Sequence, residues 1–318
     1  MQVQFRTFAP NARRVLMASE LNGWDYPKKM VRQGEDWVVE VEIDPRARIE
    51  YQFIVDGGWI LDPNNPIWIE NGIGGKNSCY QGPDYRNSAN LKFPAKPMAR
   101  IELLLGGVGH ERTVVVFAPE DPIPDLPMFI YGDGQDYENR LQPQTLVANM
   151  ISAGEIPPLV LVLVPPVDRM TEYWRKSASY EQFIAKQVIS AVRGATGASK
   201  KPEDIYVGGA SLGGLISVRL AENYPDVISG GVHSQSGAFW ASPGSMNRAS
   251  LRKIDSKAKL FFDWGTFEGV LTESNERMAD TLKLMGREFG HMITPEGHNW
   301  SAWQARYADG LRYLMAGR

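Results

Sequence analysis

Cysteine is almost absent: Cys79 stands alone in 318 residues. It can form no internal disulfide, and a single thiol builds no zinc site. No histidine lies near it in sequence, so it reads as a small buried residue rather than a catalytic thiol. Clustered Lys and Arg are missing too, and the formal net charge is −3, which argues against nucleic acid as a partner. No run approaches the roughly 18 apolar residues of a membrane span. The opening segment, Met1 to Phe8, alternates like a strand and lacks the apolar stretch of a signal peptide. The chain therefore reads as soluble and cytoplasmic, with no membrane partner and with its oligomeric state left open. What is present is ordinary: 43% hydrophobic and 22% charged residues suffice for a normal core without metal or disulfide staples.

Residues 1–80 carry a period of two. Val3 and Phe5 alternate with Gln4 and Arg6; Trp37, Val39, Val41 and Ile43 alternate with Val38, Glu40 and Glu42; Ile49, Tyr51, Phe53 and Val55 alternate with Glu50, Gln52 and Ile54. The turn Asp44 to Ala47 predicts a hairpin between the last two runs. Pro and Gly turns among short strands predict a small all-β, immunoglobulin-like sandwich. Residues 81–99, with Gly82, Pro83, Pro94 and Pro97, read as a linker. From residue 100 to 318 strand-like runs alternate with helical stretches: 101–105, 113–117, 128–131, 159–164, 205–208, 230–233, 259–263 and 290–294. The continuous apolar run Leu159 to Val164 suits a strand buried on both faces of a mainly parallel sheet, hence an α/β domain of three layers.

Chemistry concentrates at Gly209-Ala210-Ser211-Leu212-Gly213-Gly214, which follows the apolar run Ile205 to Gly208 and precedes a helical pattern reaching Asn223. Strand, sharp turn and helix are what a nucleophile elbow requires. Ser211 is the expected nucleophile, and the Leu212 N–H, opening the helix, the expected first oxyanion donor. A second donor is expected from the glycine-flanked loop after Tyr131, either the Gly134 or the Gln135 N–H. Of the four histidines, His110, His233 and His291 stand on or beside strand-like runs. His298 follows the last of these runs on a turn, where the base of such a site belongs. The acid is sought between serine and histidine, with Asp263, Glu268 and Glu273 as candidates. Glu268, in a loop able to reach His298, is preferred. Asp136, Trp68, Trp240 and Arg175 are candidate substrate contacts. No set of ligands suggests a metal, and no cofactor is expected.

These motifs together with Ser234-Gln235-Ser236-Gly237, Gly265 to Glu268 and Gly297-His298-Asn299-Trp300 with Trp303 resemble the esterase family that contains enterochelin, feruloyl and acetyl-xylan esterases and mycolyltransferases. The resemblance covers about residues 100–316 and implies an α/β-hydrolase fold with Glu268 as acid. Phe8-Ala9-Pro10-Asn11-Ala12, Asn22-Gly23-Trp24, Trp37, Tyr51 to Gly57 and Asp62-Pro63 resemble an early-set sandwich of the family 48 carbohydrate-binding type. In such a module Trp24 and Trp37 read as packing residues, while Trp59 and Trp68, near turns, are freer to face a ligand.

The resemblance implies serine-based hydrolysis of a small-molecule or glycan ester. Feruloyl, acetyl or general carboxylic esters come first; a siderophore trilactone is the alternative, for which Arg169, Arg175 and Lys176 would supply positive charge. A carbohydrate-binding protein with an inactive esterase domain is the rival of another class, against which the complete serine, histidine and acid set argues. The proline-containing linker predicts an N-terminal module docked on the hydrolase domain, with Ile67, Trp68 and Ile69 as an apolar patch at the mouth of the site.

Overall fold

The computed structural model describes residues 1–72, 74–89, 91–92, 96–242, 244 and 247–318. Pro94 of the expected linker lies outside the described residues. The chain divides into two compact units. The first comprises Met1–Asn87, Gly265–Thr272 and Ile293–Ala302; the second comprises Ser88–Trp264, Glu273–Met292 and Trp303–Arg318.

In the first unit the strands are β1 (Gln2–Phe8), β2 (Val15–Ser19), β3 (Lys28–Lys29), β4 (Val31–Gln33), β5 (Asp36–Glu42), β6 (Arg48–Val55), β7 (Gly58–Ile60), β8 (Trp68–Glu70) and β9 (Lys76–Gln81). They form one sheet in the order β1-β5-β4 and a second in the order β3-β2-β6-β9-β8, with β7 also paired to β6. Phe5, Trp37 and Val39 from the first sheet share one apolar core with Val15, Met17, Ile49, Tyr51 and Phe53 from the second. Burying each such side chain contributes about 1.5–3 kcal/mol. Trp37 is a packing residue, its indole N–H donating to the Ala9 carbonyl at 3.0 Å.

The expected hairpin across Asp44 to Ala47 does not form. β5 pairs with β1 and β4, whereas β6 pairs with β2, β7 and β9, so the turn crosses from one sheet to the other. Alternation alone does not say which strand is a partner, and a tight turn serves a crossover as well as a hairpin. β6 also departs from simple alternation, since Arg48 and Glu50 are buried along with Ile49 and Tyr51. Their side of the strand is covered within the same unit by residues 295–299: the Arg48 N–H donates to the Pro295 carbonyl at 3.2 Å, and the Arg48 guanidinium to Asn299 Oδ1 at 3.2 Å.

In the second unit the strands are β10 (Met98–Gly107), β11 (His110–Pro119), β12 (Met128–Tyr131), β13 (Val160–Leu163), β14 (Ile205–Ala210), β15 (Gly231–Gln235), β16 (Lys259–Gly265) and β17 (Gly290–Thr294), the last residues of β16 and β17 running into the first unit. All eight apolar runs of the sequence are strands. Their order is β10-β11-β13-β12-β14-β15-β16-β17. β10, β11 and β13 are joined antiparallel; β13, β12, β14, β15 and β16 are joined in parallel. The central strands are buried throughout, which is why their sequences are continuously apolar. Helices Pro143–Ser152, Leu212–Asn223 and Val270–Leu284 provide crossovers, and Trp300–Met315 follows β17. No helix among the described residues is long and apolar enough to cross a membrane.

The crossover helix Leu212–Asn223 buries Glu222, whose carboxyl is pushed up to about 8 because burial outweighs the attraction of Lys253 and Arg219. The folded state then holds a proton that an unfolded carboxyl, at about 4.5, has released. Between those two values the native state binds more protons, so stability falls as pH rises. Thermal melts should therefore show Tm declining from pH 5 to pH 8. Glu222→Gln should flatten part of that decline, and an unchanged slope would contradict the assignment.

Candidate active site

Ser211 stands between β14 and the helix Leu212–Asn223 with φ 58° and ψ −120°. A non-glycine residue held at positive φ is strained, and such strain concentrates at functional positions. The backbone on either side fixes it there. The Ser211 N–H donates to the Gln235 carbonyl at 2.8 Å, and the Ser211 carbonyl accepts from Ala238 N–H at 2.9 Å and Gly214 N–H at 3.0 Å. The flanking glycines answer to close approach: a Cβ on Gly209 would lie 2.5 Å from the Gly213 carbonyl carbon, and one on Gly214 would lie 2.5 Å from Ser234 Oγ. Ser234 to Gly237 thus packs beneath the elbow. The Leu212 N–H, at the first helical position, has no carbonyl one turn earlier to receive it.

A second brace comes from the loop after β12. Asp133, itself at φ 52° and buried, receives Arg169 on both oxygens at 2.7 and 2.9 Å, and Arg169 reaches on to the Ala210 carbonyl at 3.1 Å. Burial raises the Asp133 carboxyl, an effect the guanidinium opposes. Arg169 is therefore engaged with Asp133 and with the backbone just before Ser211. In the same loop the Gly134 N–H donates to the Val164 carbonyl at 3.2 Å. Gln135, next along, is exposed.

Asp263 is engaged elsewhere. One carboxylate oxygen accepts from Arg306 Nε at 2.8 Å and the other lies 3.2 Å from His233 Nε2, all three side chains being fully buried. His233 Nδ1 meets the Tyr131 hydroxyl at 2.9 Å, and Trp303 Nε1 and Arg306 both donate to Ser236 Oγ. These contacts give His233 and Asp263 a structural place below the sheet's carboxyl ends. Glu273 opens the exposed side of helix Val270–Leu284.

Glu268 and His298 belong to the first unit. Glu268 Oε2 lies 2.8 Å from His298 Nδ1, and its Oε1 accepts the Gly265 N–H at 2.6 Å. The Glu268 side chain is fully buried, while that of His298 is 30% exposed. Thr272 ties the loop, its hydroxyl donating to the Gly265 carbonyl at 2.7 Å, and Phe267 packs on the sandwich core. His298 and Asn299 border a cavity of about 460 Å³ in this unit, with Glu20, Glu50, Trp24 and Trp59 around it. Burial, with Glu50 nearby, raises the Glu20 carboxyl.

Each candidate substrate contact has partners of its own. Trp240, 43% exposed, meets Trp174 edge to face at 5.9 Å, and Arg175 lies 5.8 Å from the Trp174 ring. Asp136 is exposed and paired with Arg140 at 3.0 Å. Trp68 is half exposed on β8 with the Lys76 ammonium 3.3 Å above its ring, and Ile67 beside it is also exposed. Among the described residues no three His, Cys, Asp or Glu side chains are grouped as a metal ion would need.

Two features escaped the sequence. The Asp133–Arg169 brace joins positions with no sequence spacing to connect them. Asn299 had a visible signal, an Asn just before a helix, because its Oδ1 accepts the Ala302 N–H at 2.9 Å as an N-cap.

The family model described as "Putative esterase" matches residues 106–314. The chain belongs to this family. This esterase is a carboxylic-ester hydrolase, and its second unit has the α/β-hydrolase fold. It is 27% identical over 172 residues to "Uncharacterized protein YbbA" of Bacillus subtilis (strain 168), a match spanning 48% of this chain and 66% of that protein. Its structure is similar to that of ferric enterobactin esterase from Salmonella typhimurium, with a TM-score of 0.81 at 19% identity over 98% of this chain and 93% of that one. It is also similar to a feruloyl esterase module from Clostridium thermocellum, with a TM-score of 0.60 at 16% identity over 73% of this chain and 93% of that one.

Proposed function

We propose that the esterase works by two-step acyl transfer with Ser211 as nucleophile, His298 as base and Glu268 as the acid that orients it. The observation that carries this reading is the buried Glu268 carboxylate on His298 Nδ1 at 2.8 Å, which directs a lone pair outward at Nε2. His298 accepts the Ser211 hydroxyl proton as the oxygen bonds to the ester carbonyl carbon. The resulting oxyanion is held by the Leu212 N–H and, because the Gly134 N–H is committed to Val164, by the Gln135 N–H. The alcohol leaves with the proton from His298. Water, deprotonated in turn by His298, then attacks the acyl carbon; the acid leaves as His298 returns that proton to the Ser211 oxygen.

For the substrate we favour feruloyl, acetyl or other carboxylic esters of a glycan or small alcohol. Trp24 and Trp59 beside the His298 cavity support this choice, as flat apolar faces suit a ring-shaped group. Trp240, Arg175, Asp136 and Trp68 are proposed as further contacts. A siderophore trilactone is the second reading, favoured by one observation: similarity to ferric enterobactin esterase extends through 98% of this chain. A panel of ester substrates at matched concentration tests the choice. Aryl and acetyl sugar esters should be turned over with the highest kcat/KM; a trilactone hydrolysed faster than all of them would reverse the order.

A further inference from the structure

His298 sits between two residues that are each held by the N-terminal strands. Gly297, before it, lies against Glu20 so closely that a Cβ there would be 2.2 Å from Glu20 Oε1. Asn299, after it, donates from Nδ2 to Glu20 Oε1 at 2.7 Å. Glu20 is itself fixed: it opens the turn Glu20–Asn22 after β2, and its Oε2 accepts the Glu50 N–H at 2.9 Å. Asn299 cannot turn its amide over, because Oδ1 already accepts from Ala302 N–H at 2.9 Å and from Arg48 at 3.2 Å. All of these groups lie in the first unit.

We propose that Glu20 is a positioning residue for catalysis, holding the His298 imidazole in place through Asn299 and Gly297. The proposal rests on the reading of His298 as base. Its physical basis is that a base must sit within a fraction of an ångström of its working position, and misplacement by about 1 Å can cost on the order of 10²-fold in rate. The residues on either side of His298 meet one carboxyl group, Gly297 by close approach and Asn299 by a hydrogen bond, so the residue between them has little freedom. Hydrogen-bond direction makes the idea testable. Glu20 accepts from two donors, Glu50 N–H and Asn299 Nδ2. In Glu20→Gln the amide oxygen can serve Glu50, but its NH₂ then faces the NH₂ of Asn299, which is unable to flip. In Asn299→Asp the cap and the Arg48 contact survive, but two carboxylates meet. In the double variant, Glu20→Gln with Asn299→Asp, the introduced amide donates its N–H to the introduced carboxylate, and every bond is restored with one direction reversed.

The experiment is a double-mutant cycle on full-length protein, read as kcat and KM for an activated ester, beside Val39→Ala as a sandwich-destabilised control. Each single variant should lose about 10-fold or more in kcat with KM nearly unchanged, and the double variant should return to within about 3-fold of wild type. Val39→Ala should lower Tm while leaving kcat in place. Additive losses in the double variant, or singles with wild-type kcat, would overturn the proposal. His298→Ala separates this outcome from failure of the underlying reading: if that variant keeps its activity, the base has been misassigned and Glu20 has nothing to position.

Discussion

Replacing Ser211 by alanine should lower turnover of a chromogenic carboxylic ester by about 10⁴-fold or more while the protein remains folded. The loss is this large because each step of the proposed reaction passes through the serine oxygen: it forms the bond to the acyl carbon and later releases it. The fold should tolerate the change because the backbone bonds that anchor Ser211, to Gln235, Ala238 and Gly214, survive it. Alanine at φ 58° bears the same backbone strain as serine. Circular dichroism and Tm close to wild type, with activity gone, is the expected pair of results. Retention of a tenth of the activity would remove Ser211 from the role.

The second large effect concerns the charge partners. His298→Ala should be nearly as damaging as Ser211→Ala, since no other group is proposed to move the serine proton. Glu268→Gln should cost less, roughly 10²- to 10⁴-fold, because the amide still occupies the loop but no longer stabilises the imidazolium. Asp263→Asn should behave differently. Asp263 is buried with Arg306 and His233, and removing its charge leaves the Arg306 guanidinium without its partner, at a cost of about 3–5 kcal/mol for a buried pair of this kind. The signature is therefore a marked fall in Tm for Asp263→Asn, against a marked fall in kcat for Glu268→Gln. Kinetics and melts on the two purified variants check it; an active, unstable Glu268→Gln together with a stable, inactive Asp263→Asn would exchange their roles.

Much of this was legible in the chain because the physics is local. Strands buried on both faces must be continuously apolar, so Leu159 to Val164 and its fellows declared themselves. The elbow is a backbone constraint, so its small residues had to stand next to Ser211. The preference for Glu268 over Asp263 rests on loop position, and the 2.8 Å contact with His298 Nδ1 is the observation on which its proposed role is built. What stayed hidden depended on partners far apart in sequence. The Asp44 to Ala47 turn looks the same whether it returns within a sheet or crosses to another, and only the pairing of β5 and β6 distinguishes the two. Arg48 alternates as an outward residue should, yet Pro295 and Asn299, from far along the chain, bind it and it is buried. Glu20, on a turn in the N-terminal strands, carried no sequence sign that it would meet Asn299.

The most direct test of the central claim is covalent labelling. A fluorophosphonate bonds to an activated serine oxygen with loss of fluoride, and peptide mass spectrometry then locates the adduct. One equivalent should be found on the peptide containing Ser211, in step with loss of esterase activity, and labelling should be much slower in His298→Ala. An adduct on another residue, or full inactivation with Ser211 unmodified, would contradict the account.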